Sequence, residues 1–310
     1  MTQLAVVTNK KKLDPALRER VRAALADGGF GGARWYEAPK GSAATGATEQ
    51  ALADGADVIL VVGGDGTVRA AAHAVAHTEA RLAVFPAGTA NLFASALALP
   101  TEPAAVVDTI LHGAVRTLDL GRCNGMRFGV MAGSGFDAAL MRTVDDGPKE
   151  RFGSLAYVWA GARQVRRQTP QEVRVDVDGE AFFRGAAVCV LVGNVGELKA
   201  GVKVFPDALP DDGELEVGIV TASTFREWAG VAAKVAVRRQ ATSPNVHLSR
   251  GSKIDVTWAP GASAKTKKRA SRTPFELDGG AKGTARRLKY RTEPGALHLL
   301  VPAPDAPSRS

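Results

Sequence analysis

Along the first 120 residues, short apolar runs alternate with stretches whose apolar positions recur at helical spacing. Residues 4–8 form the first run. Asp14-Pro15 then offers an N-cap and a proline for the first helical position. Leu17, Val21, Ala24 and Leu25 share one face, and Gly28-Gly29 stops the helix. A weaker strand is predicted at 33–37, a helix at 48–54 and a wholly apolar strand at 57–62. A further strand at 82–85 enters PAGTAN and then a helix that runs to Leu99. Alternating strands and helices predict a parallel sheet covered on both faces.

After about Thr117 the period shortens. Strands are predicted at 126–131, 172–177, 187–192, 214–220, 253–257, 274–277 and 296–301, and helices at 154–167 and 224–239. Asp178-Gly179 has the residues of a two-residue hairpin turn. The expected architecture is an α/β N-terminal domain with a parallel sheet (1–118), a C-terminal β-rich, sandwich-like domain (119–303) and a frayed tail (304–310). A length of 310 residues, 45% of them apolar, suits two cores.

Two cysteines, Cys123 and Cys189, cannot build a disulfide framework, and with no leader pattern in MTQLAVVTNKKK the expected setting is cytoplasmic. No apolar run nears the roughly 20 residues of a membrane span. The +8 charge, from 40 Lys and Arg against 32 Asp and Glu, gathers at Lys10–Lys12, Arg238–Arg239 and Lys265–Arg272 and favours polyanions. Zinc-finger spacing and RNA-binding aromatic motifs are absent, so nucleic acid is not the expected partner. A homo-oligomer is compatible with the sequence.

The chemistry concentrates where the apolar strand ends in Gly63-Gly64-Asp65-Gly66-Thr67. A glycine turn before a helix brings backbone amides close to a phosphate. Asp65 beside such phosphates calls for a cation or a proton, which points to phosphoryl transfer. The turn is neither a Walker A loop nor a dinucleotide fingerprint, since Arg69 stands where the third glycine belongs. Pro86-Ala87-Gly88-Thr89-Ala90-Asn91 occupies the same place after the next strand. In a parallel sheet both turns lie at the carboxyl ends, where ligands bind.

GGDGTV followed by FPAGTANLFASALALP resembles the signature of the diacylglycerol kinase catalytic domain family, which includes sphingosine and ceramide kinases. The likeness continues through DLGRCNG, VMAGSGFDAAL, GSLAYVWAGARQV, LVGNVG, FPDALPDDGELEVGIV, FELDGG and PGALHLLVP. The resemblance implies an ATP- and Mg²⁺-dependent kinase of a lipid hydroxyl such as that of diacylglycerol, the lipid entering between two domains. It assigns Gly63, Gly64, Asp65, Gly66, Thr67, Val68, Arg69 and Thr89 to the nucleotide; Gly88 and Asn91 are candidates from the second turn itself, where Thr89 and Asn91 could donate to phosphate. It assigns Asp212 to magnesium, with the backbone carbonyls of Leu209 and Glu214; oxygen donors suit that ion.

The chain departs from the family where D-G-E or D-G-D is usual: it reads Asp278-Gly279-Gly280, and the last residue is the family's proton-accepting acid. Glu276 and Asp278, on one strand face by period two, are the candidate substitutes, with Asp65 as a further catalytic acid. The early N-P turn is Asn9-Lys10, and a threonine after the second strand is Ala38. The alternatives are a nucleotide- or lipid-binding relative impaired in transfer, or a soluble-substrate kinase of the NAD type. The stretch 224–240 is either a basic amphipathic helix at an anionic membrane, with Phe225, Trp228, Ala232 and Val235 on one face, or a helix packing that face on the sandwich. His73 and His77 have i,i+4 spacing but no third metal ligand.

Overall fold

The computed structural model describes residues 2–9, 13–135, 170–197, 203–237, 239–259 and 272–303. Lys10–Lys12, the expected helix at 154–167, Arg238, residues 265–271 and the tail 304–310 lie outside them, as do the parts of the family-like sequence within 136–169. The chain divides into two compact units, one ending at Asp119 and resuming at Pro294, the other spanning Leu120–Glu293.

The first unit holds β1 (Leu4–Asn9), β2 (Arg34–Ala38), β3 (Val58–Gly63), β4 (Arg81–Pro86) and the end of β16 (Arg287–Val301), in the order β2-β1-β3-β4-β16. Each neighbouring pair is parallel. All six residues of β1 and of β3 are buried, as expected of central strands covered on both faces. Val6, Val58, Leu60 and Phe85 pack with Val21 and Leu25 of α1 (Pro15–Asp27) and Val106 and Ile110 of α5 (Pro103–His112). Ala5, Val7, Ile59 and Val61, of the alternate parity, are buried too. On that side α2 (Ala44–Ala53) and α3 (Asp65–Val75) pack on each other and on the strands. One boundary is corrected. Residues 296–301 belong with the first unit, because His298 and Leu299 of β16 pair with Arg81 and Leu82 of β4. An apolar run announces a strand, not the sheet that it joins.

The second unit is a sandwich. One antiparallel sheet has the order β12 (Val246–Gly251), β11 (Leu215–Val220), β10 (Cys189–Gly193), β7 (Met131–Ser134), β14 (Thr273–Leu277), β15 (Gly280–Ala285). Facing it, the start of β16 pairs with β13 (Lys253–Trp258), then β8 (Gln171–Val177) and β9 (Glu180–Ala187). The end of β5 (Ala114–Cys123) pairs with β6 (Met126–Phe128). Val175, Ile254, Val256, Trp258 and Tyr290 of this layer meet Ala132, Val190, Val192, Val217 and Leu277 of the other.

The 224–240 stretch is α6 (Phe225–Ala236), and it packs on the sandwich: Trp228 and Val231 are buried against Val188, Cys189, Val220 and Ala222, while Phe225 is exposed. Among the described residues no helix is long and apolar enough to cross a membrane. A capping box starts α6, with Thr224 Oγ1 accepting from Glu227 N and Glu227 Oε2 accepting from Thr224 N at 3.0 Å. Thr224→Ala is expected to lower stability by about 1 kcal/mol, read as a shifted denaturation midpoint. The amides of Ser223 and Thr224 hold the Glu227 carboxyl below its usual value of 4.5. The cap is therefore fully formed above that pH and is lost as pH falls through the lower folded value.

Candidate nucleotide loop and acidic turns

β3 ends at Gly63, Gly64 stays extended, and α3 begins at Asp65. Thr67 N and Val68 N turn back to Gly64 O at 2.8 and 3.0 Å, so the amides of Asp65 and Gly66 precede the first intrahelical bonds. The positive end of the helix dipole lies at these donors. Thr67 is 3% exposed and sits under the turn, where a Cβ on Gly63 would come within 2.7 Å of its own Cβ. Val68 is buried in the core. These two support the loop from inside, whereas Gly66 borders open space and Arg69 is half-buried.

The second turn is built against the first. Ala87 N donates to Gly63 O at 3.0 Å, and a Cβ on Gly88 would lie 2.5 Å from Gly64 Cα. Asn91, at φ 49°, closes its own loop: Oδ1 accepts from Gly88 N at 2.9 Å and Nδ2 donates to Gly88 O at 3.0 Å. Its amide is thus used in shaping the turn. Asp65 Oδ1 accepts from Phe93 N at 3.3 Å, tying α3 to the start of α4 (Leu92–Ala96). Thr89 is exposed at the tip. A cradle that any Cβ would fill, edged by helix-terminal amides and a hydroxyl, fits a polyphosphate. The two histidines do not share a helix face, because α3 stops at Val75 and His77 has φ 61°.

In the second unit, the acidic turn is pinned by Phe205, which sequence reasoning overlooked. Its ring is 1% exposed and fills the space left by Gly193 and Gly218, where a Cβ would lie 2.4 and 3.0 Å from it. The chain leaves this anchor for Leu209, which is exposed, and Asp212. Asp212 Oδ1 accepts from Glu214 N at 3.0 Å. Its Oδ2 lies 3.5 Å from Arg250 Nη2, and Arg250 Nε pairs with the Glu214 carboxylate. The donors that the sequence offers for an ion, the Asp212 carboxylate and the carbonyls of Leu209 and Glu214, are all oxygen, the chemistry that magnesium takes with water completing its shell. Among the described residues no three His, Cys, Asp or Glu side chains form a metal cluster, so an ion here would rely on those carbonyls.

The C-terminal acids are placed differently from the expectation. Asp278 (φ 47°) and Gly279 (φ 73°) form a two-residue turn between β14 and β15, with Leu277 opposite Gly280. Asp278 is therefore off the strand and does not share a face with Glu276. Its carboxylate, 6% exposed, accepts from Gly129 N, Val130 N and Met131 N at 3.0, 2.8 and 3.1 Å. Glu276 is 7% exposed and accepts from Gly279 N at 2.7 Å. Both proposed substitutes for the missing acid are thus buried and bonded to backbone. Asn194, also missed, supports the same 129–131 turn through Nδ2 to Gly129 O at 3.0 Å. Asp178-Gly179, correctly read as a turn, provides the signal: Asp178 has φ 50° and accepts from Lys253 N at 2.8 Å. The same dipeptide at 278–279 could have been read the same way. Cys123 and Cys189 are buried, and burial pushes the Cys123 thiol up to about 12, so neither offers a thiolate.

Residues 4–123 match the diacylglycerol kinase catalytic domain, and residues 130–301 match the YegS C-terminal NAD kinase beta sandwich-like domain. A Pseudomonas putida protein named probable lipid kinase YegS-like is 30% identical over 82% of this chain and 80% of its own length. A Bacillus subtilis diacylglycerol kinase is 33% identical over 61% of this chain and 63% of its own, just under two thirds of that relative. A solved diacylglycerol kinase structure from Bacillus anthracis shares the fold at a TM-score of 0.73 and 20% identity, covering 96% of both chains. With a glycine-turn α/β unit followed by a sandwich, and matches along both, the chain belongs to the diacylglycerol kinase and YegS-like lipid kinase family.

Proposed function

We propose that this chain transfers the γ-phosphate of ATP to a lipid hydroxyl of the diacylglycerol type, with Mg²⁺ as cofactor. The observation that carries the reading is the backbone contact of Gly64 with Gly88, which forms a side-chain-free cradle at the α3 N-terminus. The amides of Asp65 and Gly66, with the Thr89 hydroxyl, would hold phosphate oxygens and stabilise the charge that develops in transfer. Asp212 and the carbonyls of Leu209 and Glu214 would hold magnesium, which supplies charge neutralisation when bound. Asp65 keeps α3 and α4 in register through Phe93 N, and at the start of α3 it would lie beside the phosphates. The lipid brings the chain to the inner face of an anionic membrane, where basic charge favours a peripheral stay.

A second reading, a nucleotide- or lipid-binding relative impaired in transfer, is favoured by Gly280 together with the engagement of Asp278 and Glu276 by backbone amides. Incubating the protein with γ-labelled ATP and mixed micelles of diacylglycerol, sphingosine or ceramide separates the two. Labelled lipid, lost in Asp65→Ala, supports the kinase; nucleotide binding without label supports the impaired relative. Label on NAD but on no lipid would assign a soluble substrate instead. Gly88→Ala, whose methyl would strike Gly64, is expected to weaken ATP binding at least about tenfold by calorimetry. Unchanged affinity would remove the loop from the site.

A further inference from the structure

Arg250 faces the acidic turn from the neighbouring strand. The pairing of β11 with β12 sets it opposite Glu216, and from there it reaches Asp212 Oδ2 at 3.5 Å and the Glu214 carboxylate. We propose that Arg250 is a built-in counter-cation that competes with the divalent ion for Asp212 and so sets the metal affinity of the 209–214 turn. This inference rests on the reading of that turn as the magnesium site.

Three carboxylates, Asp212, Glu214 and Glu216, look toward one guanidinium. A divalent ion on Asp212 would meet a positive charge a few ångströms away, an unfavourable approach at any dielectric. The arginine can yield: its side chain is 52% exposed, and half-exposed ion pairs are weak. Displaced toward solvent, it would leave the Asp212 carboxylate without its arginine partner and open to the ion. Arg250 thus already supplies a cation at Asp212, and binding becomes an exchange of one cation for another.

The test uses the full chain stripped with EDTA and titrated with Mn²⁺ in the absence of nucleotide, with free Mn²⁺ followed by electron paramagnetic resonance. Arg250→Gln is expected to tighten binding by about three- to tenfold, and Arg250→Lys, which keeps the charge, to stay near the wild type. Arg174→Gln removes another half-exposed arginine, paired with Asp176 in the same unit, and is expected to change nothing, which separates local competition from net charge. Weaker or unchanged binding in Arg250→Gln, with Asp212→Asn still lowering affinity, overturns the counter-cation role and leaves the metal site standing. Absence of saturable binding, or binding indifferent to Asp212→Asn, overturns both. Circular dichroism of each variant confirms that the comparison is between folded proteins.

Discussion

Gly280→Glu is expected to raise phosphoryl transfer to lipid by about a hundred- to ten-thousand-fold over the wild-type chain, the range a general base contributes. The position accepts the change. Gly280 lies outside the left-handed region, and the atoms nearest to a Cβ there are Leu277 O at 3.4 Å and Lys282 Nζ at 3.7 Å, ordinary contacts. Gly280→Gln, of nearly the same shape without a proton-accepting charge, serves as the control and is expected to gain nothing. Lys282 adds a second, sharper expectation. An ammonium beside the new carboxylate stabilises its ionised form, so the acid limb of the rate profile should lie below the usual glutamate range. Removing that charge in the double variant Gly280→Glu, Lys282→Gln should move the limb to higher pH. Equal rates in the wild type and in Gly280→Glu would show that the chain does not lack its base at this position, and the search would then turn to Asp65.

Asp278→Ala is expected to destabilise the second unit by about 3 kcal/mol, because it leaves the buried amides of Gly129, Val130 and Met131 without their acceptor. A further cost arises because alanine disfavours the positive φ that Asp278 adopts. Asp278→Asn separates the contributions. Asparagine tolerates that backbone and keeps one acceptor oxygen, so a smaller loss of about 1–2 kcal/mol is expected, measured as a shifted urea midpoint with an unchanged slope. The activity of the folded asparagine variant discriminates between roles. A carboxylate that only braces the 129–131 turn can be replaced with little change in turnover at temperatures where the variant is folded. A base cannot, and a collapse of turnover with stability intact would return Asp278 to the chemistry.

The ease of reading the nucleotide loop and the difficulty of reading the acids have a common physical origin. Gly63 to Thr67 and Pro86 to Asn91 are contiguous, and their meaning is written in local backbone requirements: strand, tight turn, helix. Parallel pairing of β3 with β4 then places the two turns side by side, Gly63 opposite Pro86. Asn91 was legible as a loop residue, yet its use in closing that loop depended on a left-handed backbone that the residue type only permits. For Glu276 and Asp278 the period-two argument failed because a strand was extended through a turn. Asp-Gly is a local signal, and it outranks alternation. No local signal reports that Asp278 meets residues almost 150 positions earlier, or that Arg250 faces Asp212 across a strand pair.

By itself the sequence determined the two-part architecture, the parallel sheet of the first part, the glycine cradle and the family to which the chain belongs. The first three depend on periodicity, or on residue types that only one backbone geometry tolerates, and the family was legible as a resemblance of motifs along the chain. Only the tertiary structure decided that β16 completes the first sheet, that Trp228 and Val231 of α6 are spent on the sandwich, and that Asp278 and Asp212 already have partners. Those outcomes depend on which side chains long-range pairing brings within hydrogen-bond reach, and a carboxylate's role is set by the donors and charges that surround it.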